Sequence, residues 1–438
     1  MTLYSPPPEK PEERACLVGV KLPGATFEQE RENLEELGQL ASTAGADVVE
    51  TVVQQRTRID GATYIGKGKI EEIERLVEDK DINLVIFDDD LSPAQARNIE
   101  NFVKVNVIDR TELILDIFSR GARTKQAKLQ VEIAQLNYAL PRLKRLWDHL
   151  SRQAGGIGTR GPGETQLEVD RRRVRERISF IKKELAKISK RVGERRKKRS
   201  EVFNVTIVGY TNAGKSTLLN HLSGAGVLES SQLFSTLDSI SRKVGFGDGE
   251  EFVLTDTVGF IRKLPTHLVE SFKATLVDVE EADLLLHLVD ISSPFFEDRI
   301  VVVNDVLEKV LMKNSDRSEK TGMIPTIVVF NKTDQVVNKG AVSAAMKSHP
   351  FSASISAVEG DGVEGLLRMI KDQVDKNRVK ARVELSVSDG KTIAFIEASA
   401  RILERVVEGE MIGFLLITDK KDLGRIEKAG NVRVTILP

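Results

Sequence analysis

The sequence contains very little cysteine, few aromatic residues and no long apolar segment. Cys16 is the one cysteine among 438 residues, so an internal disulfide is excluded and a reducing compartment is expected. The longest apolar runs, such as Leu284–Leu286 and Ile327–Phe330, fall far short of the roughly 18 residues that a transmembrane helix needs. Residues 1–14 have no apolar stretch typical of a secretory signal and predict a short disordered tail. We therefore expect a cytoplasmic protein without an integral membrane segment.

Positive charge is concentrated in one part of the chain, although the formal net charge is only −1. Residues 120–199 contain 24 Lys and Arg against 8 Asp and Glu, a local net charge of +16, so the other residues carry −17. Such segregation indicates a polyanionic partner, most often a nucleic acid. The alternative is that these charges only solvate a helical surface.

The length and the strand and helix patterns predict several domains. Residues 15–120 alternate short apolar strands with helices, which predicts a small N-terminal α/β domain with a parallel sheet. The strands are Ala15–Val20, Val48–Gln54, Leu84–Phe87 and Val105–Ile108, and the helices are Glu28–Ala41, Lys69–Val77 and Pro93–Phe102. Residues 201–378 repeat the alternation and predict a doubly wound α/β domain. Residues 379–438 predict a small α+β domain of unassigned role, with the helix Lys391–Val407 among its strands.

Residues 121–200 carry two long helical patterns with apolar residues at alternating spacings of four and three. The stripes are Leu129, Ile133, Leu136, Leu140, Leu143, Trp147 and Leu150, then Val174, Ile178, Ile181, Leu185, Ile188 and Val192. This spacing is typical of two helices that pack along a seam, and Pro141 should kink the first helix. Gly155–Gly163 contains five glycines and Pro162, so we expect it to be a non-helical tip. The result is an antiparallel basic hairpin whose predicted RNA contacts are Arg160, Arg171, Arg172, Arg173 and Arg175.

A phosphate-binding motif directly follows the predicted strand Val205–Val208. It reads Gly209-Tyr210-Thr211-Asn212-Ala213-Gly214-Lys215-Ser216 and matches G-x-x-x-x-G-K-[ST] in the required strand–loop–helix order. Backbone N–H groups of such a loop, and the positive end of the next helix, bind phosphates. We expect Lys215 to reach the β- and γ-phosphates and the Ser216 hydroxyl to ligate Mg²⁺.

Two downstream segments supply the rest of a Mg²⁺–nucleotide site. The strand Phe252–Asp256 ends in a carboxylate that can hold a water of the Mg²⁺ shell. It continues as Thr257-Val258-Gly259, where the Gly259 N–H can contact the γ-phosphate. Between the two motifs, Phe234-Ser235-Thr236-Leu237-Asp238 is a candidate first switch. We expect Mg²⁺ to be bound directly by Ser216 and Thr236 and through water by Asp256.

Guanine specificity is predicted by Asn331-Lys332-Thr333-Asp334, which follows an apolar strand. An aspartate can accept hydrogen bonds from N1–H and N2–H₂ of guanine, which adenine does not offer, and such mismatches discriminate strongly. The Lys332 stem can cover the base. A later segment, Ser356-Ala357-Val358, can supply a backbone donor to guanine O6. The order and spacing of these elements favour a GTPase and exclude an ATPase.

The sequence leaves the catalytic group unidentified. Ras-type GTPases place a glutamine after the glycine of D-x-x-G to orient the attacking water. Phe260 occupies that position here and cannot hydrogen-bond to water. We therefore expect Phe260 to pack inward and GTP turnover to be slow without a partner.

Taken together, these segments resemble the HflX family of GTPases over nearly the whole chain. The motifs that carry the resemblance are Tyr64-Ile65-Gly66-Lys67-Gly68-Lys69, Phe87-Asp88-Asp89-Asp90-Leu91-Ser92-Pro93-Ala94-Gln95, Lys128-Leu129-Gln130-Val131-Glu132, Gly155–Glu164 and Gly209–Ser216. The Gly155–Glu164 loop beside a GTPase domain is specific to that family. Two features depart from the family pattern: Ser239-Ile240-Ser241 stands where a proline and two threonines usually follow, and the tail from Val379 matches only loosely.

The resemblance implies a Mg²⁺-dependent, ribosome-associated GTPase that helps to split ribosomes into subunits. Its N-terminal region would contact the large subunit near the peptidyl transferase centre. The resemblance also implies a hydrophobic residue in place of the catalytic glutamine, which Phe260 matches.

The expected partners are GTP, GDP and the ribosomal RNA of the large subunit, with the protein acting as a monomer. RNA contact should involve backbone and shape, because the hairpin has few aromatic residues for base stacking. One alternative is a regulatory GTPase switch that binds a protein through its acidic N-terminal domain. Another is a GTPase of the membrane surface, which the narrow apolar stripes of the hairpin disfavour.

Overall fold

The computed structural model describes residues 13–153, 162–197, 202–224, 233–234, 239–247, 249–263, 273–312, 324–429 and 432–437. These residues form a parallel N-terminal sheet, a pair of long helices, a mixed six-stranded sheet and an antiparallel C-terminal sheet. The predicted fold class is thereby confirmed. Apart from the end of the predicted N-terminal tail, the limits predicted for each domain stay predictions.

The N-terminal sheet has four parallel strands in the order β2-β1-β3-β4. They are β1 (Glu13–Lys21), β2 (Ala46–Gln55), β3 (Leu84–Phe87) and β4 (Asn106–Asp109). Helices α1 (Phe27–Ala44) and α4 (Arg110–Gly121) cover one face, and α2 (Lys67–Asp79) and α3 (Pro93–Val103) cover the other.

Two features of this unit differ from the sequence prediction. Helix α4 was not predicted, because its apolar residues directly follow those of β4 without a glycine or proline between them. The predicted tail 1–14 is wrong at its end, because Glu13 and Arg14 pair with Ala46 and Asp47 of β2. Residues 1–12 lie outside the described part of the chain.

Helices α5 (Lys125–Gln153) and α6 (Pro162–Lys197) form the predicted pair. Lys125 lies beside Glu184 and Glu132 beside Arg177, so the two helices run antiparallel. The seam is apolar, as predicted. Leu129, Ile133 and Ile181 are buried in it, and Leu136, Ile178, Leu185 and Ile188 pack around them. The side chains of Trp147, Leu150 and Val192 lie outside the description.

The tip between α5 and α6 is shorter than predicted. Pro162 and Gly163 belong to α6, although the sequence predicted a non-helical segment through Gly163. Proline suits the first turn of a helix, where its missing N–H has no intrahelical partner. Residues 154–161, including Arg160, lie outside the described residues. Helix α5 contains Pro141 and continues to Gln153.

The third unit is built on six strands in the order β10-β9-β8-β5-β7-β6. They are β5 (Asn204–Gly209), β6 (Ile240–Gly245), β7 (Glu251–Asp256), β8 (Leu284–Asp290), β9 (Thr326–Asn331) and β10 (Ser352–Ser354). Strand β6 is antiparallel to β7, and the other pairs are parallel. The loops that follow β5, β7, β9 and β10 therefore meet at one edge of the sheet, where α/β proteins bind ligands.

Helices cover both faces of this sheet, as a doubly wound fold requires. Helices α7 (Lys215–Ser223) and α11 (Val363–Asn377) pack on one face. Helices α8 (Lys273–Glu280), α9 (Phe296–Met312) and α10 (Lys339–Ser348) pack on the other.

The C-terminal sheet is antiparallel, in the order β12-β13-β11-β14. Its elements are β11 (Arg378–Ser386), α12 (Gly390–Ser399), β12 (Arg401–Glu408), β13 (Met411–Asp419), α13 (Lys420–Glu427) and β14 (Val432–Leu437). The predicted helix Lys391–Val407 is wrong after Ser399, because Arg401–Glu408 pairs with β13 as a strand. Val406 and Val407 favour a strand, and Gly409, with a φ of +61°, permits the tight turn into β13.

Candidate nucleotide site

The segment after β5 forms a loop that ends at the first residue of α7, as the motif requires. Gly214 has a φ of +92°, which residues with a side chain rarely adopt. A side chain at this position would also overlap the side-chain amide of Asn331. The amide donates to the Ala213 carbonyl over 2.8 Å. The loop is therefore fixed against the end of β9.

Lys215 is buried at the mouth of this loop. Its ammonium donates to the carbonyls of Tyr210, at 2.8 Å, and Gly209, at 3.3 Å. Burial lowers the pKa of Lys215 to about 8, and the charge of Asp256 opposes this shift. The ammonium is thus held in a dry position and would gain from a nearby anion.

Ser216 and Asp256 bring a hydroxyl and a carboxylate together beside Lys215. The Ser216 hydroxyl donates to Asp256 Oδ2 over 2.7 Å, and Asp256 is fully buried. The Thr257 hydroxyl donates to the Ile207 carbonyl over 2.7 Å, which joins the end of β7 to β5. Oxygen ligands of these two kinds suit Mg²⁺, which is usually bound by few protein groups together with phosphates and water. Within the described ranges, no group of three or more His, Cys, Asp or Glu side chains could hold a metal ion.

The segment after β7 returns to the phosphate-binding loop. Gly259 lies against the loop, and Phe260 forms two backbone hydrogen bonds with it. The Phe260 N–H donates to the Gly209 carbonyl over 3.1 Å, and the Thr211 N–H donates to the Phe260 carbonyl over 2.7 Å. The Phe260 side chain is only 4% exposed and belongs to an apolar cluster with Phe234 and Ile261. It packs inward, as expected from the sequence.

Asn331 links the end of β9 to the loop 209–216 and to the segment 356–358. Its amide donates to Ala213 as described, and its carbonyl oxygen accepts from the Ala357 N–H at 2.9 Å. Lys332 forms an ion pair of 2.7 Å with Asp290. Asp334 lies in a short 3₁₀ turn, Thr333–Gln335, and is exposed. Ser356 and Ala357 are buried beside this turn, whereas Val358 is 74% exposed.

Some motif residues contact the N-terminal unit through their side chains. The Tyr210 hydroxyl donates to Glu36 of α1 over 2.5 Å and accepts from the Arg262 N–H at 2.8 Å. Burial, followed by the charge of Glu36, raises the pKa of this hydroxyl, so it stays protonated. Phe234 packs edge-to-face on Phe118 of α4, with ring centroids 4.6 Å apart. Ser235, Thr236, Leu237 and Asp238 lie outside the described residues.

Sequence reasoning missed a set of charged residues between the N-terminal unit and the segment after Phe260. Arg262 contacts Glu32 and Asn33, and Arg299 contacts Glu32 at 3.1 Å. Lys263 pairs with Asp88 and Asp89. The run Asp88–Asp90, the acidic helix α1 and the pair Arg262–Lys263 were visible in the sequence, but only the fold brings them together.

The basic face of α6 contains both paired and unpaired cations. Arg172 and Arg173 form long, exposed ion pairs with Glu176 and Asp170, each at 3.8 Å. Arg177 forms a tighter pair with Glu132 of α5. Arg171 and Arg175 have no carboxylate partner in the part of the chain that the structure describes. They lie one helical turn apart and leave positive charge available on this surface.

Three family models match successive regions of the chain. A model described as "GTP-binding GTPase N-terminal" matches residues 31–119, and "GTP-binding GTPase Middle Region" matches residues 121–199. A model described as "50S ribosome-binding GTPase" matches residues 204–332. No helix among the described residues is long and apolar enough to cross a membrane.

Curated relatives match most of the chain, and several are called GTPase HflX. The protein of Magnetococcus marinus is 41% identical over 408 residues, 92% of each chain. The protein of Caldanaerobacter subterraneus is 46% identical over 370 residues, 83% of this chain and 81% of the relative. That of Escherichia coli K12 is 41% identical over 382 residues, 86% of this chain and 87% of the relative.

The solved structures that resemble the chain include a GTP-binding protein of Sulfolobus solfataricus in complex with GDP. It is 23% identical, with a TM-score of 0.44, and the match covers 83% of this chain and 99% of that one. The family assignment rests on the sequence relatives and on the three successive family models. These matches show that the chain belongs to the HflX family of P-loop GTPases.

Proposed function

We propose that this protein is a Mg²⁺-dependent GTPase that acts on the large ribosomal subunit in the cytoplasm and promotes ribosome dissociation. The observation that carries the proposal is the convergence of Lys215, Ser216, Asp256 and Gly259 at the edge of the sheet, linked by Asn331 to the base-binding segment. The proposed reaction is the hydrolysis of GTP to GDP and phosphate.

The phosphate end of the site would be formed by the loop 209–216 and α7. Lys215 would neutralise the β- and γ-phosphates, and the Gly259 N–H would contact the γ-phosphate. Ser216, together with Thr236, would bind Mg²⁺ directly, and Asp256 would bind it through water. When bound, Mg²⁺ would neutralise charge on the phosphate oxygens during transfer.

The base end would be formed by residues 331–334 and 356–358. The exposed position of Asp334 leaves its carboxylate free to accept hydrogen bonds from guanine. Asn331 orients both segments from its buried position, and Lys332 is held by Asp290 where its stem can cover the base. These contacts support guanine over adenine, because adenine offers no donor pair to the aspartate.

The basic helix pair supports the ribosomal part of the proposal. Arg171 and Arg175 have no carboxylate partner among the described residues, and their positive charge suits contact with the RNA backbone. The description of the third family model, "50S ribosome-binding GTPase", points to the same partner. Arg160, Arg172 and Arg173 are proposed as further contacts.

The two alternative functions receive less support. A protein partner bound by the acidic residues of α1 would have to displace internal contacts, because Glu32 and Glu36 are already paired with Arg299 and Arg110. A membrane surface would need an exposed apolar face, but the apolar seam of the hairpin is buried around Ile181.

The test is GTP turnover by the full chain with and without purified large ribosomal subunits. We expect slow turnover alone, because Phe260 cannot orient water, and a large increase with subunits. Lys215→Ala, which removes the phosphate-binding cation, should show neither turnover nor GTP binding. Rapid turnover that subunits leave unchanged would contradict the ribosomal proposal, and wild-type GTP affinity in Lys215→Ala would contradict the site itself.

A further inference from the structure

Three residues of the phosphate end converge on one point. A Cβ atom placed on Gly259 would lie 2.9 Å from the Lys215 ammonium nitrogen and 2.9 Å from both Cα and Cγ2 of Thr211. Lys215 and Gly259 are the groups assigned above to the γ-phosphate. Thr211 therefore lies beside the place where the γ-phosphate would be bound.

The Thr211 hydroxyl is a buried polar group that no described residue pairs with. Thr211 is only 5% exposed, and its Oγ1 has no hydrogen-bond partner among the residues that the structure describes. Leaving a buried hydroxyl unpaired is unfavourable, and native proteins do so rarely. An unpaired hydroxyl at this position points to a ligand that satisfies it.

The neighbouring polar groups are already engaged or turned away. The Lys215 ammonium donates to two carbonyls, and the Thr211 N–H is occupied by the Phe260 carbonyl. The Phe260 side chain faces an apolar cluster and supplies no polar group at the usual place of the water-orienting glutamine.

The geometry points to Thr211 as a catalytic residue for GTP hydrolysis, a role that rests on the proposed GTPase activity. Its hydroxyl accepts a hydrogen bond from the attacking water and donates one to a γ-phosphate oxygen. The water oxygen forms the new bond to the γ-phosphorus while the bond to the β–γ bridging oxygen breaks. The proton of the water passes to the released phosphate, GDP leaves with the bridging oxygen, and Thr211 ends unchanged.

The test compares Thr211→Val, which keeps the shape and removes the hydroxyl, with Thr211→Ser, which keeps the hydroxyl. Single-turnover GTP hydrolysis and GDP affinity are measured on the full chain, with and without large ribosomal subunits. Thr326→Val is the control, because it also removes a threonine hydroxyl. Thr326 is the first residue of β9, at the end of the strand remote from Asn331 and the nucleotide site. We expect Thr211→Val to lower turnover by about 100- to 1,000-fold, as for other lost transition-state hydrogen bonds.

The expected pattern has three parts. GDP affinity of Thr211→Val stays within about twofold of the wild type, Thr211→Ser restores most of the turnover, and Thr326→Val turns over normally. Wild-type turnover in Thr211→Val would overturn the proposal, and so would a loss of GDP affinity as large as the loss of turnover. Absence of turnover in the wild type with large subunits would instead refute the proposed GTPase function.

Discussion

Lys215 combines a buried position with a positive charge, which makes nucleotide binding sensitive to pH. Burial lowers its pKa to about 8 in the protein without nucleotide, well below the ordinary value of 10.5. Phosphates favour the charged form, so binding should raise this pKa again. We expect GDP binding near pH 8 to be accompanied by proton uptake, and GDP affinity to fall as the pH rises from about 7.5 to 9.

Calorimetric titrations in two buffers of different ionisation enthalpy measure this uptake directly. Lys215→Arg is the matched control, because a guanidinium stays protonated throughout this range. Proton uptake that is absent from the wild type, or equal in the arginine variant, would show that Lys215 does not titrate on binding.

Asp334 should determine the choice of base. Asp334→Asn replaces an acceptor with an amide that can donate to the O2 of xanthine. We expect GTP affinity to fall by roughly 100-fold or more and affinity for xanthosine triphosphate to rise. Competition binding of the two nucleotides measures the change. Asp361→Asn, an exposed acid in the nearby loop, is the control and should keep guanine preference. A retained guanine preference in Asp334→Asn would place the base elsewhere.

At the residue scale, the sequence predicted where the motif residues lie along the chain but not where every side chain points. Short motifs fix a local backbone geometry, so Ser216 and Asp256 could be placed together in advance. Tyr210 and Phe234 lie in predicted nucleotide-binding segments, yet their side chains pack on Glu36 and Phe118, more than a hundred residues away. Contacts of that kind depend on how separate units dock, which no local pattern encodes.

Secondary-structure elements with strong periodicity were predicted well, whereas those with mixed signals were not. The seam of α5 and α6 follows from spacings of four and three, and the capping box of Thr26 and Gln29 marks the start of α1. The apolar residues of Arg401–Glu408 show no clear helical or strand spacing, and the segment is a strand because it pairs with β13. Long-range pairing often overrides weak local preference in this way.

A cluster of buried charged side chains surrounds the first residue of α4, Arg110. The Arg110 guanidinium donates to Asp88 over 2.6 Å and to Glu36, and all three side chains are almost fully buried. Arg110→Met would remove the cation paired with Glu36 and one of the two cations paired with Asp88. We expect the free energy of unfolding to fall by about 3–5 kcal/mol, the range for a broken buried ion pair.

Urea unfolding of the full chain measures this loss. Arg31→Met is the matched control, because Arg31 forms a 3.1 Å pair with Glu35 on an exposed surface of α1. Exposed pairs contribute little, so this variant should change stability by less than about 1 kcal/mol. Equal effects of the two substitutions would show that the buried cluster adds nothing specific to stability.

At the scale of the whole molecule, charged residues are either paired within the protein or available to a partner. Residues 120–199 carry +16 and the remainder −17, yet several acids of the N-terminal unit are neutralised internally by Arg110, Arg262, Lys263 and Arg299. The cations of α6 are neutralised less completely. The segregation was visible in the sequence, but only the fold distinguishes charges that are paired internally from charges that remain available to a partner.

This distinction yields a prediction for the double variant Arg171→Glu/Arg175→Glu. Neither residue is among those buried in the seam or packed around it, so the helix pair should remain folded. Each is expected to contact one RNA phosphate, and reversal of its charge replaces attraction with repulsion. Binding to large ribosomal subunits should weaken, and the slope of log affinity against log salt should decrease by about two. GTP binding should stay unchanged.

Co-sedimentation with large subunits over a range of potassium concentrations measures both quantities. Lys391→Glu/Lys428→Glu is the matched control, because it makes the same change in net charge on exposed residues of the C-terminal unit. If both double variants bound subunits equally weakly, overall charge rather than the surface of α6 would govern association. If neither weakened binding, the basic helix pair would only be a solvated surface. A selective loss in the α6 variant would identify this helix as an RNA-binding surface.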